Sequence, residues 1–307
     1  MNIVFLDTMT LGECDLTPIK QLGELICYPF TTPQECLQRS KDADIIITNK
    51  VVLNKEILKQ LPKLKLVCIA ATGMNNVDLQ VAKECGIAVK NVAGYSTKSV
   101  VQHTITLALG LLSKISYYDQ YVKSAEYTKS PIFVNLKYDA VDIDNKKWGI
   151  IGLGSIGKGV AKIAMALGAS VSYYSTSGKN AQGYPSQSLE SLLKESDIIS
   201  IHAPLNEQTK GLIGEKELSL LKNKAIILNL GRGGIIDENA LAQELKKREI
   251  YAGLDVFEVE PMQKNHCLLS KDIPQERLLL TPHIAWGYVN SRKHLIEGIA
   301  QNIRSIL

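Results

Sequence analysis

Trp148-Gly149-Ile150-Ile151-Gly152-Leu153-Gly154-Ser155-Ile156-Gly157 reads as a short apolar strand running straight into a glycine-spaced turn. The helical pattern Ile156–Leu167 follows at once. Gly152-x-Gly154-x-x-Gly157 therefore stands between a strand and a helix, the context that turns this spacing into a dinucleotide fingerprint. Gly152 permits the tight turn, Gly154 lets backbone N–H groups approach a pyrophosphate, and Gly157 allows the helix to lie close to the strand. Ser155 and Ile156 supply the first helical amides, at the helix end that attracts negative charge. A glycine-rich turn without a ligand is the bland alternative, and the flanking elements weigh against it.

Downstream of this turn, apolar runs recur near Val171–Tyr174, Ile198–Ile201, Ala225–Leu230, Tyr251–Asp255 and Leu278–Thr281, separated by helical patterns. With Trp148–Leu153 they make the six strands of a full dinucleotide fold. Upstream, the same alternation places strands near Ile3–Leu6, Ile26–Tyr28, Ile45–Thr48, Leu66–Ala70 and Ile87–Val89. Thr32-Pro33-Gln34-Glu35 is a capping box with proline at the first helical position, so a helix starts there. The fold class is α/β, with two Rossmann-like domains and parallel sheets. Ser99 to Leu112 reads as a long apolar helix, and Ile115 to Asp144, which fits neither period, as an arm. Ser291 to Leu307 has helical spacing and is expected to pack back on the first half.

At 307 residues the chain is long enough for two domains, each with its own core. No apolar run reaches the roughly 18 residues of a membrane span, and no signal peptide is read at the N-terminus. The six cysteines, Cys14, Cys27, Cys36, Cys68, Cys85 and Cys267, show neither a CxxC pair nor metal spacing with histidine. Reduced thiols in a cytoplasmic protein without a metal are expected. A net charge of +4 with scattered Lys and Arg argues against a nucleic-acid partner, and the pair Lys146-Lys147 is too small a patch to change that.

An NAD site ordinarily carries Asp or Glu about 20 residues after the glycines, on the ribose hydroxyls. Here Tyr174-Ser175-Thr176-Ser177 fills that place. Its hydroxyls and Lys179 suit a 2′-phosphate and no carboxylate repels one, so NAD or NADP is expected, with a lean to NADP.

Three further segments fall at carboxyl ends of strands, where open α/β sheets bind ligands. Leu230-Gly231-Arg232-Gly233 presents an arginine fork between glycines, able to hold a carboxylate. Leu254-Asp255 through Glu260-Pro261 ends the next strand, and Thr281-Pro282-His283 the last. Hydride transfer to a 2-oxo acid needs a proton donor working near neutrality, and a histidine oriented by a carboxylate meets the need. Glu260 and His283 fit. His103, His202, His266 and His294 read as structural residues, since only His283 has both an acid and an arginine on neighbouring strand ends.

With these motifs in hand the chain resembles the D-isomer-specific 2-hydroxyacid dehydrogenase family over its whole length. Ala71-Thr72-Gly73-Met74-Asn75-Asn76-Val77-Asp78, Gly94-Tyr95-Ser96-Thr97, and His202-Ala203-Pro204-Leu205 match it in order. The resemblance implies catalytic roles for Arg232, Glu260 and His283. It implies carboxylate binding by amides at Gly73 and Met74, and cofactor contacts at His202, Pro204, Leu230, Gly231 and Asp255, the last with the nicotinamide carboxamide. It also implies a flavodoxin-like catalytic domain over 1–98 and 284–307, with the NAD(P)-binding domain over 99–283 inserted. Dimer contacts through the arm, with Tyr117, Tyr118, Tyr121 and Tyr127, follow from the same likeness. Trp286 after His283-Ile284-Ala285 resembles the glycerate dehydrogenase or hydroxypyruvate reductase branch, which points to hydroxypyruvate or glyoxylate. The competing reading is a dinucleotide-sensing corepressor-like binding protein on the same fold.

Overall fold

Strands covered by helices on both faces are apolar along their whole length, and the central strands of this protein show it: Ile45–Thr48 and Leu66–Ile69 are buried at every position. A computed structural model describes residues 1–178 and 183–307. The chain divides into two compact units, residues 1–96 with 286–307, and residues 97–285.

In the first unit β1 (Asn2–Phe5), β2 (Glu24–Cys27), β3 (Ile45–Thr48), β4 (Leu66–Ile69) and β5 (Ala88–Lys90) form one parallel sheet in the order β2-β1-β3-β4-β5. This is the flavodoxin-like order. The C-terminal helix Val289–Arg304 buries Leu295, Ile296, Ile299 and Ile303 in one core with Ile3, Phe5, Ile45 and Leu66, so both ends of the chain build this unit. The capping box forms as read: Thr32 Oγ1 accepts the Glu35 N–H, and Glu35 Oε2 accepts the Thr32 N–H at 2.9 Å.

In the second unit β6 (Lys147–Ile151), β7 (Ser170–Tyr174), β8 (Ile198–Ile201), β9 (Ile226–Asn229), β10 (Tyr251–Leu254) and β11 (Leu278–Leu280) form a parallel sheet ordered β11-β10-β9-β8-β6-β7. β7 lies on one side of β6 and β8 on the other. The strand order therefore reverses at β6, opening a crevice at the carboxyl ends of β6 and β8. Trp148 is fully buried in this sheet and donates its indole N–H to Ser200 Oγ at 2.9 Å, meeting the demand of a buried Trp for an acceptor.

The arm departs from the expectation of irregular chain. Ile115–Lys123 is an α-helix and Glu126–Lys129 a 3-10 turn. Lys114 ends the preceding helix in left-handed backbone (φ 56°), which lets a new helix start immediately. The tyrosines also find partners within the chain: Tyr117 packs on Tyr118, Tyr121 and Tyr138, and the Tyr118 hydroxyl donates to Tyr138 O at 2.6 Å. All six cysteines are free. Among the described residues no helix is long and apolar enough to cross a membrane.

Candidate active site

Three strand ends of the second unit carry the candidate chemical groups. β10 and β11 pair in parallel with Leu254 beside Leu280, so the loops leaving them emerge side by side. One loop carries Glu260, the other His283, and Glu260 Oε2 lies 2.7 Å from His283 Nδ1. An ionised carboxylate only accepts, so the imidazole holds its proton at Nδ1 toward Glu260 and Nε2 faces away from that carboxylate. Glu260 Oε1 accepts the Phe257 N–H at 3.0 Å, which ties the carboxylate to its own loop.

His283 sits in left-handed backbone (φ 54°), a conformation that β-carbons disfavour and that its surroundings must hold. Asp255 holds it. This carboxylate is 1 % exposed, and it accepts the Thr281 hydroxyl at 2.6 Å and the Ile284 and Ala285 N–H groups, each at 2.9 Å. Thr281 donates to Asp255, so its remaining lone pair faces His103 Nε2 at 3.0 Å. Burial, partly offset by the Asp255 charge, keeps the His103 imidazole below its ordinary range, and the neutral ring serves as a donor in the core. His103 and Thr281 were not evident as site residues in the sequence, and Asp255 gains a structural duty behind the His283 turn.

Arg232 follows β9, on the strand next to β10. Asn229 shapes its turn, accepting the Gly231 N–H at 3.1 Å and donating to Arg232 O at 2.9 Å. The guanidinium is exposed and donates Nη1 to Gly231 O at 2.8 Å. In the first unit Gly73 and Met74 lie on the loop after β4, and among the described residues their N–H groups have no hydrogen-bond partner. Among the described residues no cluster of His, Cys, Asp and Glu could hold a metal ion.

Residues 105–285 match the family described as "D-isomer specific 2-hydroxyacid dehydrogenase, NAD binding domain". Over 100% of its length the chain is 37% identical to a putative 2-hydroxyacid dehydrogenase of Haemophilus influenzae, covering 98% of that protein. The chain belongs to the D-isomer-specific 2-hydroxyacid dehydrogenases. It is also 35% identical to a hydroxypyruvate reductase of Blautia hydrogenotrophica and 37% identical to a glycerate dehydrogenase of Methylorubrum extorquens. Each match covers 100% of this chain, with 97% and 96% of the relative. A D-lactate dehydrogenase of Aquifex aeolicus, solved with NAD and lactic acid, superposes with a TM-score of 0.83 at 26% identity, covering 100% of this chain and 95% of that one. An acyclic imino acid reductase, Bsp5, solved with NADPH and D-Arg, superposes at 0.86 with 29% identity, covering 100% and 97%. These relatives are oxidoreductases by name and lend nothing to the reading as a dinucleotide-sensing protein.

A dehydrogenase of this family uses a nicotinamide dinucleotide, and the residues at the β6–β8 crevice fit one. Gly152 has φ 93°, and a Cβ there would press on Ala203 N at 2.8 Å; at Gly154, the N-cap of the helix Ser155–Ala166, a Cβ would meet nothing within 4 Å. Gly157 lies against the Gly152 carbonyl, so helix and turn touch as the fingerprint requires. A Cβ at Gly231 would meet Ala203 O at 2.8 Å, so the His202-Ala203-Pro204 segment is gripped from both sides. Ser200 Oγ accepts the Trp148 N–H and lies 3.1 Å from His202 Nε2. Burial pushes this histidine down to about 3, so it stays neutral. Nδ1 of His202 and Oγ of Ser175 are buried with no partner among the described residues, and ribose or phosphate oxygens meet that need. Thr176 is half-buried and Ser177 exposed; Lys179 lies outside the described residues.

Proposed function

We propose that this dehydrogenase reduces a small 2-oxo acid, hydroxypyruvate or glyoxylate, to the D-2-hydroxy acid. The 2.7 Å pairing of Glu260 with His283 carries the reading, with Arg232 on the adjacent strand end. Arg232 pairs with the substrate carboxylate. A reduced nicotinamide bound at the β6–β8 crevice would supply the hydride that C2 receives. His283 gives its Nε2 proton to the 2-oxo oxygen, so one hydride and one proton complete the alcohol, and Glu260 steadies the imidazole as its charge changes. In the oxidative direction Nε2 takes the proton back. Among the described residues Asp255 Oδ2 accepts the Ala285 amide alone, which leaves it an acceptor position for the nicotinamide carboxamide.

Ser175 with Thr176 and Ser177, in place of a carboxylate, supports use of NADP as well as NAD, with a lean to NADP. The test is oxidation of NADH and of NADPH with hydroxypyruvate, glyoxylate, pyruvate and a bulky 2-oxo acid. Turnover is expected with the first two and the smallest rate with the bulky acid. A catalytic efficiency more than about tenfold higher with NADH than with NADPH, roughly 1.4 kcal/mol of discrimination, overturns the NADP lean. No turnover with any of the four overturns the reading itself.

We also infer a two-fold dimer through the arm. Ile132, Phe133 and Leu136 are 61%, 89% and 80% exposed although the neighbouring tyrosines are packed, and a second copy of the chain would cover them. Light scattering at micromolar concentration is expected to report a dimer; a monomer refutes it. The free thiols suit the cytoplasm, where they stay reduced.

A further inference from the structure

Loops keep a functional carboxylate in place only when their own backbone is held. The loop that carries Glu260 is held from an unexpected side. Next to the Phe257 N–H taken by Glu260, the Glu258 N–H donates to Glu238 Oε1 at 2.8 Å. Glu238 is the first residue of the helix Glu238–Lys247 and is 7% exposed. Its Oε2 accepts from His266 Nε2, also at 2.8 Å, while His266 Nδ1 accepts the Leu268 N–H at 3.3 Å, which places the imidazole proton on Nε2. One buried carboxylate thus ties both ends of the 257–266 loop. The same peptide meets a third element: Gly233, the residue after Arg232, lies so close to the Phe257 carbonyl that a Cβ there would overlap it.

Helix capping does not account for Glu238. Asp237 is already the N-cap and accepts from the Asn239 and Ala240 amides. An acidic residue in a first turn gains its dipole stabilisation at the surface, whereas burying a carboxylate costs free energy unless it is fully paired. Both groups that pair it here come from the Glu260 loop.

We propose that Glu238, steadied by His266, is a positioning residue that fixes the Phe257–Glu258 peptide and through it the spacing between Arg232 and Glu260. This rests on the reading of Arg232, Glu260 and His283 as the working groups. Glu238→Ala is expected to lower kcat roughly 10- to 100-fold, as a misplaced catalytic group does, with the Kd for NADPH unchanged. Glu238→Gln keeps an oxygen for the Glu258 N–H but turns its NH2 to the His266 Nε2 proton, and recovers part of the rate. His266→Asn keeps an acceptor for the Leu268 N–H but loses Glu238, and falls between them.

A residue that only stabilises the fold lowers Tm and leaves kcat intact below it. Glu238→Ala with kcat within about twofold of wild type well below its Tm, or Glu238→Gln as slow as the alanine variant, overturns the proposal. Should the alanine variant not fold, His266→Asn at wild-type kcat overturns it. Glu260→Gln separates the two levels. If it is slow while Glu238→Ala is fast, the clamp alone fails; if it turns over like wild type, the reading of the site fails first.

Discussion

His283→Gln is expected to lower kcat by roughly 10² to 10⁴, the usual contribution of a positioned proton donor, or about 3 to 5 kcal/mol of barrier. The glutamine amide can still hydrogen-bond a 2-oxo oxygen, but it has no proton to give near neutrality. The alkoxide formed at hydride transfer then depends on water for its proton. Two features make the result interpretable. The left-handed backbone at His283 suits Asn better than Gln, so His283→Asn separates a conformational cost from a chemical one: equal losses in both variants point to the missing proton. The anchors of this turn are Asp255 contacts to Thr281, Ile284 and Ala285, none of which uses the His283 side chain, so the loop keeps its shape. Dinucleotide binding, followed by quenching of protein fluorescence, should stay within about twofold of wild type. Near-wild-type turnover at every pH in either variant removes His283 from the role of acid.

Glu260→Gln tests the partner. It can keep an oxygen facing Nδ1 and removes the charge, but it gives up the acceptor for the Phe257 N–H, so any loss it shows combines the electrostatic share of the pair with that loop contact.

The parts of the molecule that were legible in the sequence are those whose physics is local or periodic. Strands β6, β8 and β9 are buried over nearly their whole length, and their largely apolar runs announced them. The glycine turn after β6 announced itself because Gly152 and Gly157 each answer a steric demand and Gly154 leaves open space, all within six residues. Glu260 and His283 could be paired on paper because both follow strands that a parallel fold sets side by side. The Asp255, Thr281 and His103 network was not legible, because it depends on the register of β10 against β11 and on a helix that begins some 150 residues earlier. An aspartate ending one buried strand opposite a threonine ending the next was the one available signal. Glu238 and His266 were hidden for the same reason: His266 reads as a structural residue, and nothing in the sequence names Glu238, 28 positions away, as its partner. The arm was misread because nothing in a lysine signals left-handed backbone, and Lys114 is where one helix stops and the next begins.

Arg232→Gln carries the second large effect, a fall in kcat/KM for the 2-oxo acid of roughly 10² to 10³, within the 2 to 5 kcal/mol that loss of one partner of a charge pair costs. Among the described residues the guanidinium donates Nη1 to Gly231 O and nothing further, so most of its donor fork remains for a carboxylate. Asn229 holds the turn from both sides through Gly231 and Arg232 O, contacts that do not involve the Arg232 side chain, so the substitution removes the fork without collapsing the loop. The division of the loss between constants is informative. If Arg232 only binds the carboxylate, KM rises and kcat holds; if it also stabilises the developing oxyanion, kcat falls too. Arg232→Lys restores the charge and not the planar fork, so it should recover part of the binding and little of the orientation. Cofactor affinity serves as the internal control and should not move. Were kcat/KM for hydroxypyruvate and glyoxylate to stay within about threefold of wild type in Arg232→Gln, the carboxylate would have to be held elsewhere.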